Sequence, residues 1–180
     1  MQIKIVTSLI CLLTTLLLSG CFGTDDQEAM TTVQPAIEGN VYERPYSPSL
    51  GTESAKVTIV EFFDPACEAC RAFYPVVKEI MARHPNEIRV VLRYATFHQG
   101  SEEIVRMLEA SRLQGVFEPV LEILLNKQPE WAAHGNPRLD KAWDFAEQVG
   151  LNVDTARKAM FSDEINQILV QEKRDIKTLK

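Results

Sequence analysis

The sequence is organised around the stretch Val57-Thr58-Ile59-Val60-Glu61-Phe62-Phe63-Asp64-Pro65-Ala66-Cys67-Glu68-Ala69-Cys70-Arg71. An apolar, β-branched run of strand length ends at Asp64-Pro65, and a helical pattern starts at the two cysteines. A strand that delivers a Cys-x-x-Cys pair to the first turn of a helix is typical of thiol-redox chemistry. Unpaired N–H groups and the positive end of the helix dipole favour a thiolate there. We therefore expect Cys67 to titrate below the roughly 8.5 of a free thiol and to attack, while Cys70 resolves.

Two other interpretations of the cysteine pair remain open. Zinc is one, but it usually takes four protein ligands, often from two such pairs. The sequence has no second Cys-x-x-Cys, and His84, His98 and His134 are scattered without ligand spacing. A purely structural disulfide is the other, but crosslinking so small a loop stabilises little. Spacing and context favour redox chemistry, and we expect no metal and no other cofactor.

The redox stretch also predicts the core of the fold. A helix runs from Cys67 to about His84, Pro85 stops it, and Ile88–Tyr94 forms a second strand. A strand, helix and strand of this length form a βαβ unit, so the two strands are expected to be parallel neighbours. Pro75 lies inside the helix and should kink it. The apolar face expected to be buried consists of Ala72, Phe73, Val76, Val77, Ile80 and Met81.

The flanking regions give weaker patterns. Val41–Arg44 alternates and predicts a short strand, and Pro48 and Gly51 predict a turn before the redox strand. From Ser101 onward the apolar spacing is helical. Ser101 is expected to be the N-cap of the first helix, with Gly115 past its end. The later helices are expected to start at Pro119, Asn136-Pro137, Asn152 or Asp154, and Ser162, with ends at Gly150 and Phe161.

The N-terminus has the pattern of a targeting segment. Lys4 precedes the apolar run Ile5–Leu18, which is short for a membrane span. The run ends in Leu18-Ser19-Gly20-Cys21, which resembles a bacterial lipobox. That resemblance implies a lipoprotein signal peptide over 1–20 and acylation of Cys21, which would anchor the chain to a membrane. The alternative is an ordinary secretory leader in which Cys21 is incidental.

Export would leave a simple mature protein. Residues 21–54 are expected to be a lipidated N-terminus and a polar tether. Cys11 is lost with the leader, so the exported domain keeps only Cys67 and Cys70, in a compartment where disulfides persist. Phe22 stands where an aspartate would indicate inner-membrane retention, which favours the outer membrane. The net charge of −6 and the absence of a Lys/Arg stripe argue against nucleic acid as a partner.

The stretch from Val57 to Pro75 resembles the thioredoxin superfamily and, more narrowly, the DsbA-like thiol:disulfide oxidoreductases exported by bacteria. Members of that family have an acidic residue six positions before the first cysteine, which is Glu61 here. They often have a proline five positions after the second cysteine, which is Pro75 here. The resemblance covers about Lys56 to Lys180. It implies an α/β fold, with a thioredoxin-like βαβ unit over 55–100 and an inserted helical subdomain over 101–180.

The resemblance also assigns a role and marks a departure. It implies that Glu61 relays a proton to or from Cys70, the alternative being an exposed glutamate at a sheet edge. The family's later strand, preceded by a cis-proline, is not found, since the nine prolines all lie at or before Pro137. We therefore expect an incomplete thioredoxin fold up to Lys180, from either a truncated sequence or a degenerate domain.

The function expected from these patterns is that of a tethered, periplasmic thiol:disulfide oxidoreductase of the cell envelope. Its partners would be thiols or disulfides of exported proteins and a membrane redox partner. Two alternatives remain. The cysteines of a metallochaperone would bind Cu(I), a soft ion that accepts two sulfur ligands. An inactive tethered scaffold would bind a partner through its helical segment.

Overall fold

The computed structural model describes residues 37–179. The predicted signal peptide, Cys11, Cys21 and the first part of the tether lie outside them. The described elements, in chain order, are β1 (Ser49–Leu50), β2 (Val57–Phe63), α1 (Glu68–Arg83), β3 (Ile88–Tyr94), α2 (Ser101–Arg112), α3 (Phe117–Asn126), α4 (Gln128–Trp131), α5 (Leu139–Gln148), α6 (Val153–Ala159) and α7 (Asp163–Thr178).

The described strands form one mixed sheet in the order β1-β3-β2. β2 and β3 are parallel, with Val57 opposite Ile88 and Phe63 opposite Tyr94. This confirms the predicted βαβ unit with parallel, neighbouring strands. Both strands are rich in β-branched and aromatic residues, which suit a pleated, half-buried surface. The carboxyl end of β2 therefore lies beside the carboxyl end of β3 and leads directly into α1.

The predicted strand at Val41–Arg44 is wrong. This segment turns on itself around a single bridge between Asn40 and Glu43. The Arg44 guanidinium donates to Asp175 and to the carbonyls of Ile37 and Gly39, which folds the segment back. The predicted turn between Pro48 and Gly51 instead contains β1, which pairs antiparallel with β3 and buries Leu50.

The buried face predicted for α1 is wrong in part. Tyr74 and Val77 are buried, whereas Phe73, Val76 and Ile80 remain 62%, 45% and 38% exposed. The periodicity identified an apolar stripe but not the surface that covers it. α1 packs with the helical segment through Tyr74, whose hydroxyl donates to Glu122 of α3. Within residues 37–179, β2 is an edge strand of the sheet, and the described elements leave the rest of the stripe partly exposed.

The helical segment from α2 to α7 agrees closely with the sequence analysis. Asn152 caps α6 by accepting from the Thr155 N–H, and Ser162 caps α7 by accepting from the Ile165 N–H. Helices α3 and α5 start within two residues of the expected positions, whereas the short α4 was not predicted. The helices enclose a core whose largest members include Trp131, Ile104, Met107, Leu108, Leu121 and Leu124.

The helix start at Ser101 is nearly as predicted, but the N-cap role expected of Ser101 is wrong. Gly100 occupies the N-cap position with φ +85°, a conformation that favours glycine, and Ser101 is the first helical residue. The Ser101 side chain is fully buried and its hydroxyl donates to Asp64 instead of capping α2. The serine at the start of this helix therefore makes a tertiary contact with Asp64, which local capping rules do not predict.

Helix α7 is fixed to β3 by buried charges. Arg93 of β3 is fully buried and its guanidinium contacts Glu172 at 3.0 Å and Asp175 at 2.7 Å. Asp175 also pairs with Arg44 at 2.6 Å, which ties the segment before β1 to the same helix. None of the described helices is both long enough and apolar enough to span a membrane.

Candidate redox site

The two cysteines lie at the start of α1. Cys67 is the N-cap residue, with extended backbone angles, and Cys70 lies one turn into the helix. Both side chains are partly buried free thiols. The two thiols are close enough for Cys67 to raise the pKa of Cys70. The structure therefore brings together the two residues predicted to form the redox pair.

Cys70 is the more strongly perturbed thiol. Burial raises its pKa to about 11, and the neighbouring charges of Cys67 and Glu61 act in the same direction. A hydrogen bond from the Asp64 backbone N–H opposes them without reversing the shift. Burial disfavours the charged form of an acid, so Cys70 is a protonated thiol at neutral pH.

The N-terminus of α1 favours negative charge. Glu68, the first helical residue, has a lowered pKa because its carboxylate accepts a hydrogen bond from its own backbone N–H. The His134 Nε2 atom contacts the Glu68 Oε1 at 2.6 Å and lowers that pKa further. Cys67 lies one residue before Glu68, beside the same unpaired N–H groups and helix dipole.

Glu61 lies on β2, opposite Leu92 of β3. Alternation along the strand puts Glu61 on the same face as Phe63, which is buried. Burial raises the pKa of Glu61. Its charge in turn raises the pKa of Cys70, so the carboxyl group lies near the second thiol. The three predicted site residues thus lie together, and their individual roles stay predictions.

Asp64 holds the turn that leads to the cysteines. Its carboxylate is 3% exposed. Burial pushes its pKa up, but hydrogen bonds from Ser101, His98 and backbone N–H groups outweigh that effect, and the pKa is lowered. One carboxylate oxygen accepts from the Ala66 N–H at 2.9 Å and the Ser101 hydroxyl at 2.5 Å. The other accepts from the N–H groups of Phe97 and His98 and contacts the His98 Nδ1 at 2.8 Å.

Several residues at the site were missed in the sequence. Asp64 was noted only as the end of a strand, although an aspartate two residues before Ala66 is the pattern of an Asx turn. His98 and His134, far apart in sequence, have ring centroids 5.9 Å apart. The buried Gln128 donates from its amide to the carbonyls of Pro65 and Cys67. No local pattern predicts contacts over such separations.

From residue 37 to residue 179, no group of three or more His, Cys, Asp or Glu side chains is arranged to hold a metal ion.

The chain is similar to known proteins over most of its length. Residues 43–180 match a protein family described as thioredoxin. A thioredoxin-like oxidoreductase from Silicibacter pomeroyi superposes with a TM-score of 0.66 at 26% identity, covering 77% of each chain. Alpha-DsbA1 of Wolbachia pipientis gives a TM-score of 0.64 at 18% identity, covering 76% of this chain and 70% of that one. BdbD of Bacillus subtilis gives 0.57 at 22%, covering 73% and 72%. The last two likenesses show the fold alone.

One curated protein is also similar in sequence. It is the Na(+)/H(+) antiporter NhaA of Herminiimonas arsenicoxydans, 28% identical over 118 residues. The similarity covers 63% of this chain but 18% of the antiporter. The chain therefore spans less than a fifth of the length of that relative.

Replacing Asp64 with asparagine tests the role of the carboxylate in the turn. An amide keeps one acceptor oxygen and puts an NH₂ group against donors that need an acceptor. We expect Asp64→Asn to lower the free energy of unfolding by about 2–4 kcal/mol, measured by urea denaturation. Asp140→Asn is the control, because Asp140 is an exposed carboxylate, and its change should stay within about 0.5 kcal/mol.

The same variant gives a pH dependence. Because the pKa of Asp64 is lowered from 3.8, its contribution to stability is complete above that value and is lost as the pH falls through the folded value. The difference in stability between wild type and Asp64→Asn should be constant near neutrality and narrow below about pH 4. A difference that is small at pH 7, or that widens in acid, would show that the ionised carboxylate does not hold the turn.

Proposed function

Because the chain belongs to the thioredoxin family, we propose that it is an enzyme that catalyses thiol–disulfide exchange through Cys67 and Cys70. The observation that carries the proposal is the asymmetry of the pair. Cys67 lies at a helix N-terminus that favours negative charge, and Cys70 is a partly buried thiol with a pKa of about 11 one turn away. An attacking sulfur and a resolving sulfur need these two different environments.

In the oxidising direction, the pair starts as a Cys67–Cys70 disulfide. A client thiolate attacks the Cys67 sulfur, a new sulfur–sulfur bond forms, and Cys70 leaves with the electron pair of the broken bond. A second client thiolate then attacks the client sulfur of this mixed disulfide, and Cys67 leaves as a thiolate. The client is oxidised by two electrons, and the pair is left reduced.

In the reducing direction, Cys67 attacks a client disulfide and Cys70 resolves the mixed disulfide. Cys70 must lose its proton to attack, and its pKa of about 11 makes that loss unfavourable at neutral pH. In the opposite direction a thiolate of high pKa is a slow leaving group. Glu61, near Cys70 and with its own pKa raised by burial, is the group that accepts or delivers this proton.

Two local charges act on the redox balance in opposite directions. The N-terminus of α1 stabilises a Cys67 thiolate, hence the reduced form, which makes the disulfide more oxidising. The Glu68 carboxylate beside Cys67 is a like charge and opposes that effect. Its contact with His134 at 2.6 Å gives the carboxylate a polar partner on the side of the helical segment.

We further propose that this domain works outside the cytoplasm, tethered to a membrane through an acylated Cys21. The Leu18-Ser19-Gly20-Cys21 pattern supports the anchor, and Phe22 favours the outer membrane. The clients would be thiols or disulfides of exported proteins. A membrane redox partner would restore the pair after each cycle.

Titration against glutathione redox buffers tests the proposed reaction. Wild-type protein should pass reversibly between dithiol and disulfide, detected by the mass added when free thiols are alkylated. Cys67→Ser should abolish the transition, whereas Cys70→Ser should stop at a mixed disulfide with glutathione. A pair that never exchanges, or unchanged activity in Cys67→Ser, contradicts the proposal. Stoichiometric Cu(I) that survives dialysis in such a non-exchanging protein would support the metallochaperone instead.

Replacing Glu61 with glutamine separates a proton relay from a simple charge effect. A relay predicts that Glu61→Gln slows resolution by Cys70 roughly 100-fold in stopped-flow measurements, because general acid–base assistance is lost. A charge effect alone predicts faster resolution, because removing the carboxylate removes a contribution that raises the pKa of Cys70. Glu79→Gln, an exposed position on α1, is the control and should leave the rate unchanged.

A further inference from the structure

Gln128 connects the helical segment to the backbone of the redox pair. It opens α4, is 1% exposed, and lies 61 residues beyond Cys67 in sequence. Its side-chain nitrogen donates to the Pro65 carbonyl at 2.8 Å and to the Cys67 carbonyl at 3.0 Å. Both partners only accept, so the NH₂ end of the amide is the end that faces them. Each of its two N–H bonds has a partner.

These bonds complete a set that holds successive peptide groups. The peptide between Pro65 and Ala66 is held at both ends, its N–H by the Asp64 carboxylate and its carbonyl by Gln128. The next N–H, that of Cys67, donates to the Asp64 carbonyl at 3.1 Å. The Cys67 carbonyl accepts from the Arg71 N–H as well as from Gln128. The peptide planes on either side of the Cys67 α-carbon are thus fixed.

Fixed peptide planes determine where a side chain points. The backbone angles of Cys67, φ −81° and ψ 124°, direct its Cα–Cβ bond, and the sulfur can reach the N-terminus of α1 only from a limited range of directions. Gln128 itself has little freedom. Its backbone carbonyl accepts from the Ala132 N–H, and the nearby Trp131 is fully buried with its indole N–H bonded to the Leu124 carbonyl.

We propose that Gln128 is a positioning residue for thiol–disulfide exchange, which holds the Cys67 sulfur against the N-terminus of α1 from the helical segment. The role in exchange rests on the proposed function, whereas the orientation of the Cys67 sulfur by Gln128 does not depend on it. Gln128 does not touch the client or the reacting atoms. It acts through the backbone of Cys67, and the helical segment thereby influences the reactivity of the pair.

The test measures thiol reactivity and stability in the same variants. Gln128→Leu keeps the size of the side chain but has no donor, and Gln128→Asn keeps both donors on a shorter arm. In a Cys70→Ser background, Gln128→Leu should slow alkylation of Cys67 at pH 7 roughly tenfold, since the thiolate loses favourable contact with the helix terminus. Gln128→Asn should give an intermediate rate. Because asparagine is chemically closer to glutamine than leucine is, the Gln128→Asn variant still gives a test if Gln128→Leu fails to fold.

Gln171→Leu is the matched control. Gln171 is an equally buried glutamine, on α7, which accepts from the Ile37 N–H and donates to Asp175. The Gln171→Leu variant should lower the urea midpoint in the same way as Gln128→Leu, while the alkylation rate of Cys67 stays within twofold. Loss of stability with an unchanged Cys67 rate in both Gln128 variants would overturn the inference. Alkylation needs no exchange activity, so slowed alkylation in a protein that fails the glutathione titration would contradict the proposed function and leave the positioning role intact.

Discussion

The buried carboxylate of Asp64 is the contact on which the rest of the site depends. It joins the end of β2 to the start of α2 through Ser101, and to the segment after β3 through Phe97 and His98. A buried charge is tolerated only when hydrogen-bonding groups replace its water, and here side-chain and backbone donors do so. The turn between β2 and α1 therefore has little freedom, and α1 starts at a fixed place beside the ends of the two parallel strands.

Given that fixed turn, the two sulfurs differ in their surroundings. Cys67 stays at the mouth of the helix, whereas Cys70 is carried inward by one turn toward Glu61 and the backbone of Asp64. Burial stabilises the Cys70 thiol over its thiolate, and the cost of moving its proton makes a nearby carboxyl group chemically useful. The helical segment completes the arrangement by holding the backbone around Cys67 through Gln128.

Local patterns in the sequence were sufficient to predict β2, α1, β3 and the place of the cysteine pair at the start of α1, because each depends on residues close together in the chain. Glu61 was singled out only by the resemblance to a family. They failed where a distant partner decided the outcome. Ser101 is a residue type that often caps helices, yet its hydroxyl donates to Asp64, 37 residues away. Phe73 belongs to an apolar stripe that the described elements cover only in part. Gln128 and His134 reach the site from the helical segment, and no spacing rule relates them to Cys67.

The most direct test of this account compares the two thiols one at a time, by alkylating Cys67→Ser and Cys70→Ser proteins across a pH series. In Cys67→Ser, the remaining Cys70 should stay largely unreactive at neutral pH and react faster as the pH rises, because burial, the largest cause of its raised pKa, remains when the contribution of Cys67 is removed. In Cys70→Ser, Cys67 at the N-terminus of α1 should already be alkylated at neutral pH. Coinciding profiles would contradict the assignment of one attacking and one resolving sulfur.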